Sequence, residues 1–65
     1  MNRPLSPRQI EAMRMLSEGL LVKQIADRLG IAMGTTKMPL PDAYTRLGAR
    51  YKTEAVAIAI RSNLL

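Results

Sequence analysis

The stretch Gly30-Ile31-Ala32-Met33-Gly34-Thr35-Thr36-Lys37-Met38-Pro39-Leu40-Pro41-Asp42-Ala43-Tyr44-Thr45-Arg46-Leu47 decides the fold. Gly30 closes an apolar helical pattern that ends at Leu29, and Ile31 is an apolar plug behind it. Thr35, Thr36 and Lys37 then supply short hydrogen-bonding side chains and a cation. Pro39 and Pro41 stand where a long helix would have to continue. Each removes a backbone donor and clashes with the carbonyl four residues back, at roughly 3 kcal/mol in a helix interior. From Pro41 to Leu47 the chain makes a sound helix of its own. Pro41 suits a first position, Asp42 suits the positive end of the dipole, and Gly48 terminates. The sequence permits one kinked helix or two short ones parted around Met38 to Leu40, and the split is expected. A helix over 33–38 would start poorly, because Ala32 is a weak N-cap, about 1 kcal/mol worse than Ser or Asp.

Working back from this stretch, Ser6-Pro7-Arg8-Gln9 is a strong helix start. Ser6 caps, Pro7 occupies the first position, Gln9 completes a capping box, and Leu5 is placed as a hydrophobic staple. The pattern predicts a helix over 7–18 with Ile10, Met13 and Leu16 at helical spacing, ended by Gly19. A second helix is expected over 22–29, with Ile25, Ala26 and Leu29 on one face. Leu20-Leu21-Val22 precedes it where a polar cap would be usual. These three are either an exposed apolar patch or a piece of core packed on the first helix. Working forward, a last helix is expected over 53–62, where Ala55, Val56, Ala59 and Ile60 form a stripe. The expected core is Leu5, Met13, Leu16, Ile25, Leu29, Ile31, Leu47, Ala55 and Ala59. No strand pattern, repeat or linker interrupts this, so residues 1–65 are read as a single all-α domain. The middle of it has the turn and second helix of a helix-turn-helix.

Composition narrows the function. Ten Lys and Arg against five Asp and Glu give a net charge of +5 and an isoelectric point near 10.5. Such an excess on a small body favours a polyanionic partner. Tyr44 and Tyr51 are the only aromatics, too few for the stacking platforms of single-strand binders. There is no Cys and no His, hence no disulfide, no usual zinc site and no cofactor expected. The few carboxylates sit apart and no phosphate-binding glycine loop is present, which argues against an enzyme. No apolar run approaches the ~20 residues of a membrane span, and no signal-peptide core is visible, so a soluble cytoplasmic protein is expected.

The residues that make these patterns also resemble a known family over almost the whole chain. Leu5-Ser6-Pro7-Arg8 with Glu11, Gly19, Lys23-Gln24-Ile25-Ala26 with Leu29 and Ile31, and Gly34-Thr35 with Lys37 fall in the order and spacing of the LuxR-type (GerE-like) helix-turn-helix domain. Arg46-Leu47-Gly48 and Thr53-Glu54-Ala55-Val56 complete the likeness. It implies a four-helix module whose third helix, here kinked or split near Pro39 and Pro41, enters the major groove of double-stranded DNA. The fourth helix commonly dimerises in that family, and the module is usually the C-terminal part of a response regulator or autoinducer receptor. Three departures fall outside the core positions. Leu21 and Val22 replace polar residues, Ala32 replaces a capping Ser, and Pro39 stands where the family expects a histidine.

The resemblance implies DNA contact at Lys23, Thr35, Lys37 and Arg46, and Thr36 joins them as a donor in the same stretch. Lys23 and Thr35 lie near expected helix N-termini, where backbone donors favour phosphate. Lys37, one turn into the expected recognition helix, is the candidate for a base edge, since lysine donates to guanine. Val56 and Ile60 are the candidate seam of a homodimer. The leading reading is thus a DNA-binding transcriptional regulator acting as a dimer. The competing reading is a helix-turn-helix-derived interaction module that pairs with a LuxR-type regulator through the last helix and modulates or inhibits it.

Overall fold

Ser6 starts the first helix as its sequence predicts. The computed structural model describes residues 5–35 and 37–65, and among them the chain forms α1 (Pro7–Ser17), α2 (Val22–Leu29), α3 (Leu40–Leu47) and α4 (Lys52–Arg61), with no strand. The Ser6 hydroxyl accepts from the Gln9 amide at 3.2 Å, and Gln9 Oε1 accepts from the Ser6 amide at 2.8 Å. Both halves of the capping box are therefore made. Leu5, just before the cap, is fully buried.

All four helices close in one way. The amide of Leu20 donates to the Met15 carbonyl, Ile31 to Ala26, Ala49 to Tyr44 and Leu64 to Ala59, all at 2.9–3.1 Å. This is the long bond of a Schellman motif, and the apolar residue that makes it folds back onto the core. The residue before it must be left-handed. Gly19, Gly30 and Gly48 fill that place, and Asn63, at φ 59°, fills it after α4.

Residues 33–38 are expected as a short helix, but the described residues of that span, 33–35 and 37–38, are not helical. The chain turns there, with the Met38 amide donating to the Thr35 carbonyl at 3.2 Å and the Lys37 amide to Thr35 Oγ1 at 3.2 Å. Ala32 offers no cap, Gly34 adopts φ 79°, and Met38 precedes a proline, which disfavours helical backbone at that residue. Helix resumes only at Leu40, with Pro39 as its N-cap residue and Pro41 in its first turn. The break falls where the prolines place it, and one half of the expected pair does not form.

α1 packs against the other three helices, α3 also packs against α4, and α2 meets α1 alone. Fully buried alanines mark the close approaches: Ala12 on α1, Ala43 on α3, Ala55 and Ala59 on α4. Leu5, Met13, Leu16, Ile25 and Leu29 lie in the core as expected. Ile31 and Leu47 do not; both follow or end a helix and are half-buried at its margin. Met38 and Leu40 take the interior instead, because the turn before α3 folds inward rather than continuing a surface helix.

Candidate nucleic-acid interface

The expected DNA-contacting residues fall on three elements. Lys23 sits in the first turn of α2 and is exposed. No side chain caps the amides of that turn; Gln24 reaches back only to the Leu21 amide, at 2.8 Å. A cation beside unclaimed helix-start amides favours an anion. Thr35 and Lys37 are exposed on the turn before α3, not on a helix as expected. The Thr35 hydroxyl accepts from the Lys37 amide, which leaves its own proton to donate. Thr36 lies outside the described residues.

Arg46 is on the last turn of α3 and is engaged within its own helix. Its Nε donates to Asp42 Oδ2 at 2.8 Å, one helical turn earlier, with about half of each side chain exposed. The same Asp42 oxygen accepts from Gln9 Nε2 of α1 at 2.6 Å. Arg46 and Gln9 together hold the Asp42 carboxyl below the usual carboxylate range. Gln9 is itself buried, so one side chain caps α1 and ties down the start of α3. The sequence carried a signal for half of this, since Asp42 and Arg46 are four residues apart on a helix. The Gln9 link crosses 33 residues and left no local trace.

A second network orders the start of α4. Glu54 Oε1 accepts from the Arg50 amide at 2.8 Å, and the Arg50 guanidinium lies 3.6 Å from its other oxygen. The Arg50 amide bond comes first in holding the Glu54 carboxyl below its ordinary value. On the same helix, Val56 is half-buried against the core, whereas Ile60 is 55% exposed. Only Ile60 of the expected dimer pair is thus presented outward as a large apolar side chain. The Leu20 to Val22 run also divides. Leu20 and Val22 pack on the core, and Leu21 is 64% exposed. A concavity of about 930 Å³ runs along α1 among Arg8, Glu11, Arg14, Glu18 and Arg28, and its lining includes none of the candidate DNA residues. Among the described residues no helix is long and apolar enough to cross a membrane.

Comparison with known proteins joins these observations. Residues 3–59 match the GerE family, described as bacterial regulatory proteins, luxR family. The chain is similar to "Transcriptional regulatory protein YdfI" of Bacillus subtilis (strain 168), at 36% identity over 61 residues covering 94% of this chain and 29% of that protein. It is also similar to "C4-dicarboxylate transport transcriptional regulatory protein DctR" of Rhodobacter capsulatus, at 48% identity over 42 residues, which is 65% of this chain and 21% of that protein. The chain therefore spans less than a third of the length of either relative. No solved structure matches it significantly. With a matched stretch that takes in α1 to α3 and most of α4, the chain belongs to the luxR family of bacterial regulatory proteins and carries its DNA-binding helix-turn-helix domain.

Proposed function

We propose that this domain docks on double-stranded DNA in the cytoplasm through the start of α2 and the turn that leads into α3, as a transcription-regulator module. The observation that carries this reading is that Lys23, Thr35 and Lys37 are all exposed, on a chain of net charge +5. No acidic residue occurs between Asp27 and Asp42, so nothing in that stretch opposes a polyanion. Lys23 and the α2 amides meet phosphate, and Arg46 adds a second backbone contact with the guanidinium nitrogens that Asp42 leaves open. Base reading falls to Thr35, Thr36 and Lys37, of which Thr35 and Lys37 are presented from a turn and not from a regular helix. Phosphate contacts then supply most of the affinity, which makes it steeply dependent on salt. Titration of duplex DNA at two salt concentrations tests this: affinity should fall as salt rises, and absence of binding at low salt would refute it.

Association belongs to the same proposal. A single domain over residues 1–65 presents Ile60 from α4, with Val56 beneath it, to a second copy or to the matching helix of a LuxR-type partner. Exposed Ile60 supports this, because a large apolar side chain gains by leaving water.

A further inference from the structure

A groove of about 390 Å³ opens between the start of α2, the 33–38 turn and the start of α3. Its walls are Val22, Thr35, Met38, Leu40, Pro41 and Tyr44, five apolar or aromatic side chains and one hydroxyl. Burial there pushes the Tyr44 phenol above its ordinary value. Leu21, next to Val22, is 64% exposed, and Met33, next to the wall residue Gly34, is 54% exposed. Two large apolar side chains thus stand in water beside an apolar groove. DNA has little to offer such a surface, since its apolar contact is confined to the thymine methyl group.

The surroundings say what would fit better. Lys23 adjoins Val22 and Lys37 adjoins Met38, and neither lysine has an ion-pair partner among the described residues. No carboxylate lies in the sequence between Asp27 and Asp42, and Asp42 is already engaged by Gln9 and Arg46. An apolar groove with apolar lips and unpaired cations complements a helix that is apolar on one side and acidic on the other.

We propose that the groove docks an acidic amphipathic helix of a partner protein. Its apolar side chains lie between Leu21 and Met33, and its carboxylates meet Lys23 and Lys37. Thr35 walls the groove and is also a DNA contact in the reading above, so the two ligands exclude one another; that exclusion rests on the DNA reading, the docking does not.

The test uses the full chain and a labelled synthetic peptide of roughly 25 residues, well beyond the length at which isolated helices are marginal. Leu occupies the i, i+3, i+4 and i+7 positions, a few Glu the opposite face and Ala the remainder; a control carries Lys in place of Glu. Fluorescence anisotropy should show saturable binding of the Glu peptide that weakens with salt, and none of the Lys peptide. The variant Leu21→Ala with Met33→Ala, which removes both exposed apolar side chains without adding a capping hydroxyl to α2, should lose roughly tenfold or more in peptide affinity. Its helical circular dichroism should match the parent's. No binding of the Glu peptide, equal binding of the Lys peptide, or equal affinity of the variant overturns the docking. Duplex DNA that fails to displace bound peptide overturns the shared face. A chain that binds the Glu peptide and no duplex leaves the docking standing and removes the DNA reading.

Discussion

Gln9 and Asp42 show how much a single side chain can decide in so small a domain. Gln9 is buried, accepts from the Ser6 amide and donates to Asp42, so its amide is satisfied at both ends. Gln9→Leu would leave the Ser6 amide without its acceptor and Asp42 with Arg46 alone as donor. Loss of the capping box alone should lower stability by about 1 kcal/mol, read as a drop in the urea midpoint at an unchanged slope. An unchanged midpoint would mean that the added apolar burial offsets both lost bonds. The same contacts set a pH dependence. Asp42 and Glu54 have carboxyl groups held below their ordinary values of 3.8 and 4.5, so the folded state binds fewer protons than the unfolded one. Their contribution is present above those ordinary values and fades as pH falls through the lower folded ones. Thermal melts from pH 6 downward should show it: a loss of stability that sets in near the ordinary values and shrinks in Glu54→Gln.

At the scale of elements, α3 is where capping, proline and turn chemistry meet. Pro39→His with Pro41→Ser removes both breaks, and helix should then extend back from Leu40 toward Ala32, which far-UV circular dichroism reads as added helix. Its DNA affinity should change in a way that depends on base sequence, because a longer helix lays more side chains along base edges. If helix content stays the same, Gly34 and the poor Ala32 cap hold the turn without help from the prolines. The element pattern was largely legible. Ser6 with Gln9, the glycines at 19, 30 and 48, and the stripe on α4 are local signals, and each gave its helix to within a residue. The turn at 33–38 was not, although Gly34 and the residue before Pro39 were both visible. A short helical pattern there was weighed without its tertiary alternative, in which Met38 is worth more buried in the core than on a helix surface. The candidate site was legible as a set of residues and not as a geometry. Lys23, Thr35 and Lys37 are exposed as a contact requires, while the engagement of Arg46 by Asp42 needed the two side chains to be placed.

For the molecule as a whole, the proposed association and DNA docking rest on what the helices leave outside. Ile60→Asp should give a monomer by analytical ultracentrifugation if α4 is the seam. It is the cleaner probe than Val56→Asp, since Val56 packs on its own core and its loss would also weaken the fold. A parent chain that is already monomeric at high concentration removes the seam. The proposed DNA docking rests on exposed Lys23 at the start of α2 and exposed Lys37 in the turn before α3. The most direct measurement of that claim is the salt dependence of duplex binding for the parent, for Lys23→Ala and for Lys37→Ala. The account predicts a linear fall of log K with log salt in the parent. Lys23→Ala should bind all sequences more weakly, with a slope shallower by about 1, as a lost phosphate contact requires. Lys37→Ala should cost ~1–3 kcal/mol and relax discrimination at one base position. Unchanged slopes and affinities in both variants, or no duplex binding by the parent at low salt, would contradict it.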